Sequence, residues 1–170
     1  LGMRAMQERA YERRGEQYLL IKSPPASGKS RALMFIALDK LENQDLKKAI
    51  VVVPEKSIGA SFADEALSNF GFWTDWHVEP QWNLCNAPGE DGSKVRSVKS
   101  FLESDDKVLV CTHATFRFSV DQFGIEPFDE CLIAIDEFHH VSANPDNVLG
   151  NHLRAIIQRD KVHVVAMTGS

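Results

Sequence analysis

Five short apolar runs, separated by segments of helical pattern, set the narrowest limit on what this chain can become. They are YLLI (18–21), AIVVV (49–53), KVLVC (107–111), CLIAID (131–136) and VHVVAM (162–167). Each is apolar throughout rather than alternating, the pattern of strands covered on both faces. Between them the pattern predicts helices near 29–41, 57–70, 94–103, 113–119 and 147–159, with another near 3–14 ahead of the first run. Strands and helices in alternation predict an α/β domain with a mostly parallel sheet flanked by helices. The 170 residues suffice for one such domain. The stretch 72–92 is less regular and holds Trp73, Trp76 and Trp82. It predicts a short strand near 76–84 and then an exposed loop at NAPGEDGS. The tryptophans could stack nucleic-acid bases or pack the sheet edge, and packing is the favoured reading.

The formal net charge of −5, with a pI near 5.7, means that any nucleic-acid surface must be a local patch. No apolar run reaches the roughly 20 residues of a membrane helix. The opening LGMRAMQERAYERRGEQ is Arg/Glu-rich and helical in pattern, unlike a signal peptide. Cys85, Cys111 and Cys131 are too scattered for a disulfide framework or a zinc knuckle. A cytoplasmic, reduced protein without a membrane partner is expected. Leu1 and the terminal MTGS both read as cut ends, so a longer protein is expected.

The first chemical signal is SPPASGKSR, Ser23 to Arg31, between the first predicted strand and an apolar helix. Strand, loop and helix in that order bring backbone N–H groups together at a helix N-terminus, which is what phosphate binding needs. Gly28 would let the backbone approach, Lys29 would reach the β- and γ-phosphates, and Ser30 would ligate Mg²⁺. The second signal is CLIAIDEFHH, where an apolar strand runs into Asp136 and Glu137. Acids at the C-terminal end of a buried strand face the ligand edge of a parallel sheet. Asp136 would stand beside the magnesium and Glu137 would polarise the attacking water. In Glu-Phe-His-His the side chains of the adjacent histidines would diverge, unlike the zincin pair spaced four apart. His77, His113, His152 and His163 show no ligand spacing either.

These segments resemble the motifs of the superfamily 2 helicases and translocases, DEAD/DEAH-like, including the motor subunits of type I and type III restriction enzymes. SPPASGKS resembles motif I, where Ala or Ser commonly replaces the first glycine, as Ser23 does here; Ala26 departs from the usual glycine. DEFHH (136–140) is similar to motif II, MTGS (167–170) to motif III, VVVPEKSIGASF (51–62) to motif Ia, and VCTHATF (110–116) to the T-x-x-T/L stretch that follows. Gln7 precedes the first strand as the family's adenine-reading glutamine does. The resemblance implies a RecA-like P-loop NTPase lobe over 1–170 that uses ATP and Mg²⁺. It implies nucleotide contacts from Gln7, Ser27, Gly28, Lys29, Ser30 and Arg31, a metal held by Ser30 and Asp136, and catalysis by Lys29, Asp136 and Glu137. His139, Thr168 and Ser170 would couple the nucleotide to nucleic acid. Pro54, Lys56, Ser57, Thr112 and His113 would lie along the nucleic-acid path, chiefly meeting phosphates.

The implied partners are nucleic acid, DNA ahead of RNA, a second RecA-like lobe of the same protein, and restriction or repair subunits. Without that second lobe and its arginines, these residues are expected to bind nucleotide weakly and turn it over slowly or not at all. Two other readings stand beside this one. A small-molecule P-loop kinase would want a lid, and Arg154, Arg159 and Lys161 are the available basic residues. A non-catalytic NTPase-like interaction module would not need Lys29, Ser30, Asp136 and Glu137 intact.

Overall fold

Two strands are buried at every position: β2 (Lys48–Val53) and β4 (Cys131–Ile135). That is the environment an unbroken apolar run demands, because alternation would place polar groups against a helix layer. β1 (Tyr18–Lys22), β3 (Val108–Thr112) and β5 (His163–Thr168) complete one sheet in the order β1-β5-β4-β2-β3. Every neighbouring pair is parallel, with Leu20 opposite Ala166, Ala134 opposite Val165, and Val51 opposite both Ala134 and Val110. The computed structural model describes residues 3–22, 28–55, 62–86, 89–142 and 146–169.

The helices are α1 (Ala5–Glu12), α2 (Lys29–Asn43), α3 (Asp91–Glu103), α4 (His113–Phe123), α5 (His139–Ser142) and α6 (Val148–Ile156). α2 covers the sheet at β2 and β4 and carries α1 against it. It is therefore buried nearly all round at Leu33, Met34, Phe35 and Ile36. Phe35, Phe72 and Tyr11 pack together there, with ring centroids 4.8 to 6.4 Å apart. α4 packs on β2 and β3 and carries α3 and α6. Its start is fixed by Thr112, whose hydroxyl accepts from the Thr115 amide at 3.2 Å, a standard side-chain cap. Asn147 caps α6 through the Gly150 amide at 2.9 Å.

Two expected elements differ. Residues 57–61 of the helix expected over 57–70 lie outside the described residues, 63–66 are not helical, and a 3₁₀ turn forms at Leu67–Phe70. A carboxylate competes for the backbone here, Asp75 taking the Ser68 amide at 2.8 Å, while Asp64 reaches out to the Val78 amide at 2.9 Å. Glu65 then bridges Trp76 in antiparallel fashion. The strand expected near 76–84 is also absent among the described residues. Pro80 lacks the N–H a ladder needs and opens a 3₁₀ turn at Pro80–Trp82, leaving a single bridge from Asn83 to Val110. The tryptophans divide: Trp76 is fully buried and donates to the Phe62 carbonyl at 2.9 Å, Trp82 is buried against Phe101, and Trp73 is exposed.

Candidate functional site

The chemistry-bearing residues gather at the C-terminal ends of the strands, the edge where open parallel sheets bind ligands. β1 leads toward Gly28, which caps α2 with φ 85° and ψ 25°. A β-carbon there would lie 2.4 Å from Gln7 Nε2. The left-handed backbone favours glycine here, and a β-carbon would also push aside the end of the Gln7 side chain. Gln7 is buried on α1; its amide donates to the Gly28 carbonyl at 3.0 Å, and its Oε1 accepts from the Arg4 backbone N–H at 2.8 Å.

Lys29 begins α2 and reaches across to the end of β4. Its ammonium lies 3.1 Å from Glu137 Oε1 and 3.5 Å from Asp136 Oδ1. Asp136 is only 4% exposed. Burial pushes its carboxyl above the usual carboxylate range, while the Lys29 ammonium and the Glu137 amide, which donates to Oδ1 at 2.9 Å, pull it back down. Ser30 and Arg31 follow on α2, and with Arg4, Gly28, Lys29 and Glu65 they line a cleft of about 410 Å³. The Ser30 hydroxyl and Asp136 carboxylate are hard oxygen donors of the kind Mg²⁺ takes, and Lys29 marks the place as one where positive charge is held.

Glu137 has φ 54°, the left-handed region that a non-glycine residue enters at a cost of about 1–3 kcal/mol. Its turn is held from three sides: Asp136 N–H donates to Val52 O at 2.8 Å, Phe138 N–H to Met167 O at 2.8 Å, and His140 N–H to Glu137 O at 3.0 Å. The strained backbone splits the carboxylate. Oε1 faces Lys29, whereas Oε2 faces His139 Nε2 at 3.2 Å and His140 Nε2 at 3.9 Å. The expectation that the adjacent histidines diverge is therefore corrected. Their rings lie 4.3 Å apart and tilted by 35°, with Thr168 Oγ1 anchoring His139 through Nδ1 at 3.0 Å and Glu137 Oε2 facing both.

The structure brings Lys29, Asp136, Glu137, His139 and Thr168 into one chain of contacts, with Gln7 joined through Gly28. Gly169 reaches the same place, a β-carbon on it lying 3.7 Å from Lys29 Nζ. His113 donates from Nε2 to the Asp136 carbonyl at 2.9 Å, and burial holds its pKa below the ordinary value. Pro54 follows the end of β2, and Thr112 is occupied as the α4 cap. Arg31 stacks over Phe70 at 4.1 Å with Glu65 3.7 Å away. Ser27, Lys56, Ser57 and Ser170 lie outside the described residues. Arg4, Glu65 and His140 were missed from the sequence. For Glu65 no pattern points to the cleft, whereas His140 was visible beside the acids but excluded on side-chain direction.

A family model described as DEAD/DEAH box helicase matches residues 4–170. YeeB of Bacillus subtilis (strain 168), a candidate ATP-dependent helicase, is 59% identical over 169 residues, covering 99% of this chain and 28% of that protein. The mouse (Mus musculus) ATP-dependent RNA helicase DHX58 is 27% identical over 126 residues, covering 72% of this chain and 17% of that one. Among solved structures, the Hef helicase domain of Pyrococcus furiosus superposes with a TM-score of 0.70 at 21% identity, over 99% of this chain and 33% of its own. The UvsW helicase of bacteriophage T4 gives 0.62 at 17% identity, over 98% and 52%. The fold is thus that of the RecA-like helicase lobe. The chain spans less than a third of the curated relatives it matches.

Proposed function

The chain belongs to the DEAD/DEAH box helicase family, and from that premise we propose that it is the first ATP-binding lobe of a nucleic-acid motor. Residues 1–170 form one RecA-like unit, and a second lobe lies in the remainder of a longer protein. Gly28 and Ser27 offer backbone amides to phosphate, Lys29 grips the β- and γ-phosphates, and Arg31 borders the nucleotide. Gln7 serves the nucleotide by bracing Gly28 as well as by reading adenine. Ser30 and Asp136 hold Mg²⁺, which when bound neutralises phosphate charge. Glu137, freed from Lys29 when phosphates take up the ammonium, orients the attacking water and accepts its proton. His139, Thr168 and Ser170 link that carboxylate to β5 and onward to the strand-binding face. Pro54, Lys56, Ser57, Thr112 and His113 lie along the path of the nucleic acid.

The carrying observation is that Lys29 meets both Asp136 and Glu137 although they stand far along the chain. An ammonium held by two acids is a site ready to exchange carboxylates for phosphate oxygens. In the full-length protein, Lys29→Ala should weaken binding of a fluorescent ATP analogue about tenfold or more, since a charge-assisted phosphate contact is lost. Unchanged binding overturns the reading. Resemblance to restriction-enzyme motors favours DNA over RNA and restriction or repair subunits as partners. Stimulation of turnover by duplex DNA, compared with RNA of the same sequence, decides between the two nucleic acids. The three cysteines, all buried thiols, accord with a reducing cytoplasm.

A further inference from the structure

We propose that Glu137, His139 and His140 form a binding site for a divalent transition ion, Zn²⁺ foremost, and that an ion bound there inhibits ATP turnover by withdrawing Glu137. One oxygen of Glu137 is engaged by Lys29, and the other, Oε2, is the one turned to both imidazoles. The three ligand atoms lie within 4.8 Å of one another. In a tetrahedral zinc site with ordinary bond lengths, neighbouring ligand atoms stand roughly 3.4 Å apart. The separations of 3.2 and 3.9 Å from Glu137 Oε2 to the two imidazoles bracket that value, so a small inward adjustment of the three side chains would bring them to an ion.

The donor set decides the kind of ion. Two imidazoles and one carboxylate suit Zn²⁺, Co²⁺ or Ni²⁺, whereas Mg²⁺ prefers oxygen alone. The site is therefore chemically distinct from the Ser30 and Asp136 oxygens. A supporting contact is already built: His139 Nδ1 meets Thr168 Oγ1 at 3.0 Å. A proton on Nδ1, donated to that hydroxyl, leaves the Nε2 lone pair aimed at Oε2, the arrangement that orients metal-binding histidines. The histidine side chains are 46% and 59% exposed, so an ion can enter from solvent. The three protein ligands leave a fourth position open for water.

The inhibitory consequence rests on the reading of Glu137 given above, but the metal site does not, and the two are tested apart. Zn²⁺ binding to the untagged full-length protein is measured by calorimetry, and Co²⁺ binding by its visible absorption. One equivalent should bind at micromolar concentration. His140→Ala should weaken it about tenfold or more, and His152→Ala, a histidine elsewhere on the surface, should leave it unchanged. Absence of saturable binding below millimolar, or binding that His140→Ala leaves intact, overturns the site. Micromolar Zn²⁺ should also suppress ATP turnover in the parent and much less in His140→Ala, with recovery on adding a zinc-selective chelator. Zn²⁺ that binds without changing turnover overturns the inhibitory role and leaves the site standing.

Discussion

Gly28 answers two demands at one α-carbon, a left-handed backbone and the close approach of Gln7 Nε2. Gly28→Ala should therefore lower stability by about 1–2 kcal/mol, read as a shift in the urea midpoint, and weaken nucleotide-analogue binding. The place of this glycine just ahead of a helix was legible in SPPASGKSR. The Gln7 contact was not, because it joins positions 21 apart through a helix packing that no local pattern records. A second residue-scale prediction concerns Lys40 and His163. Lys40 is fully buried and donates to Glu16 O at 2.8 Å, and its Nζ stands 2.6 Å from His163 Nδ1. Burial and the neighbouring ammonium push His163 down to about 4 from its ordinary 6.5. Between those values the unfolded chain binds the proton and the folded chain does not, so stability rises with pH over that window. Denaturation midpoints measured from pH 4 to 6.5 should climb, and His163→Gln should flatten the slope.

At the scale of elements, the five strands were legible almost to the residue from their apolar runs. β2 and β4 are covered on both faces as that pattern predicts, whereas β1, at the sheet's edge, exposes Tyr18 and Leu20 and is not. The failures fall where side chains outcompete pattern. Asp75 captures the Ser68 amide that a helix over 57–70 would need, Asp64 is drawn to the Val78 amide, and Pro80 removes a ladder donor from 76–84. The diverging-histidine expectation failed because a contact distant in sequence, Thr168 Oγ1 to His139 Nδ1, and Glu137 between the rings set their directions. The layer on the α4 side depends on Phe116, which meets Phe128 edge-on at 5.2 Å, both fully buried. Phe116→Ala should lower unfolding free energy by about 3–5 kcal/mol, measured by chemical denaturation.

Across the whole molecule, protection follows position in the sheet. β2 and β4 are covered at every residue, whereas β1 at the rim exposes Tyr18 and Leu20. Amide hydrogen exchange should be slowest at Ile50–Val53 and Ile133–Ile135 and faster along β1, because rim strands open without disrupting the core. Uniform exchange would contradict this ordering. The pairing of β1 with β5 alone has a further effect on how the protein comes into being. Within these residues β1 precedes and β5 follows the other strands, so β1 has no partner in the sheet until β5 has been made.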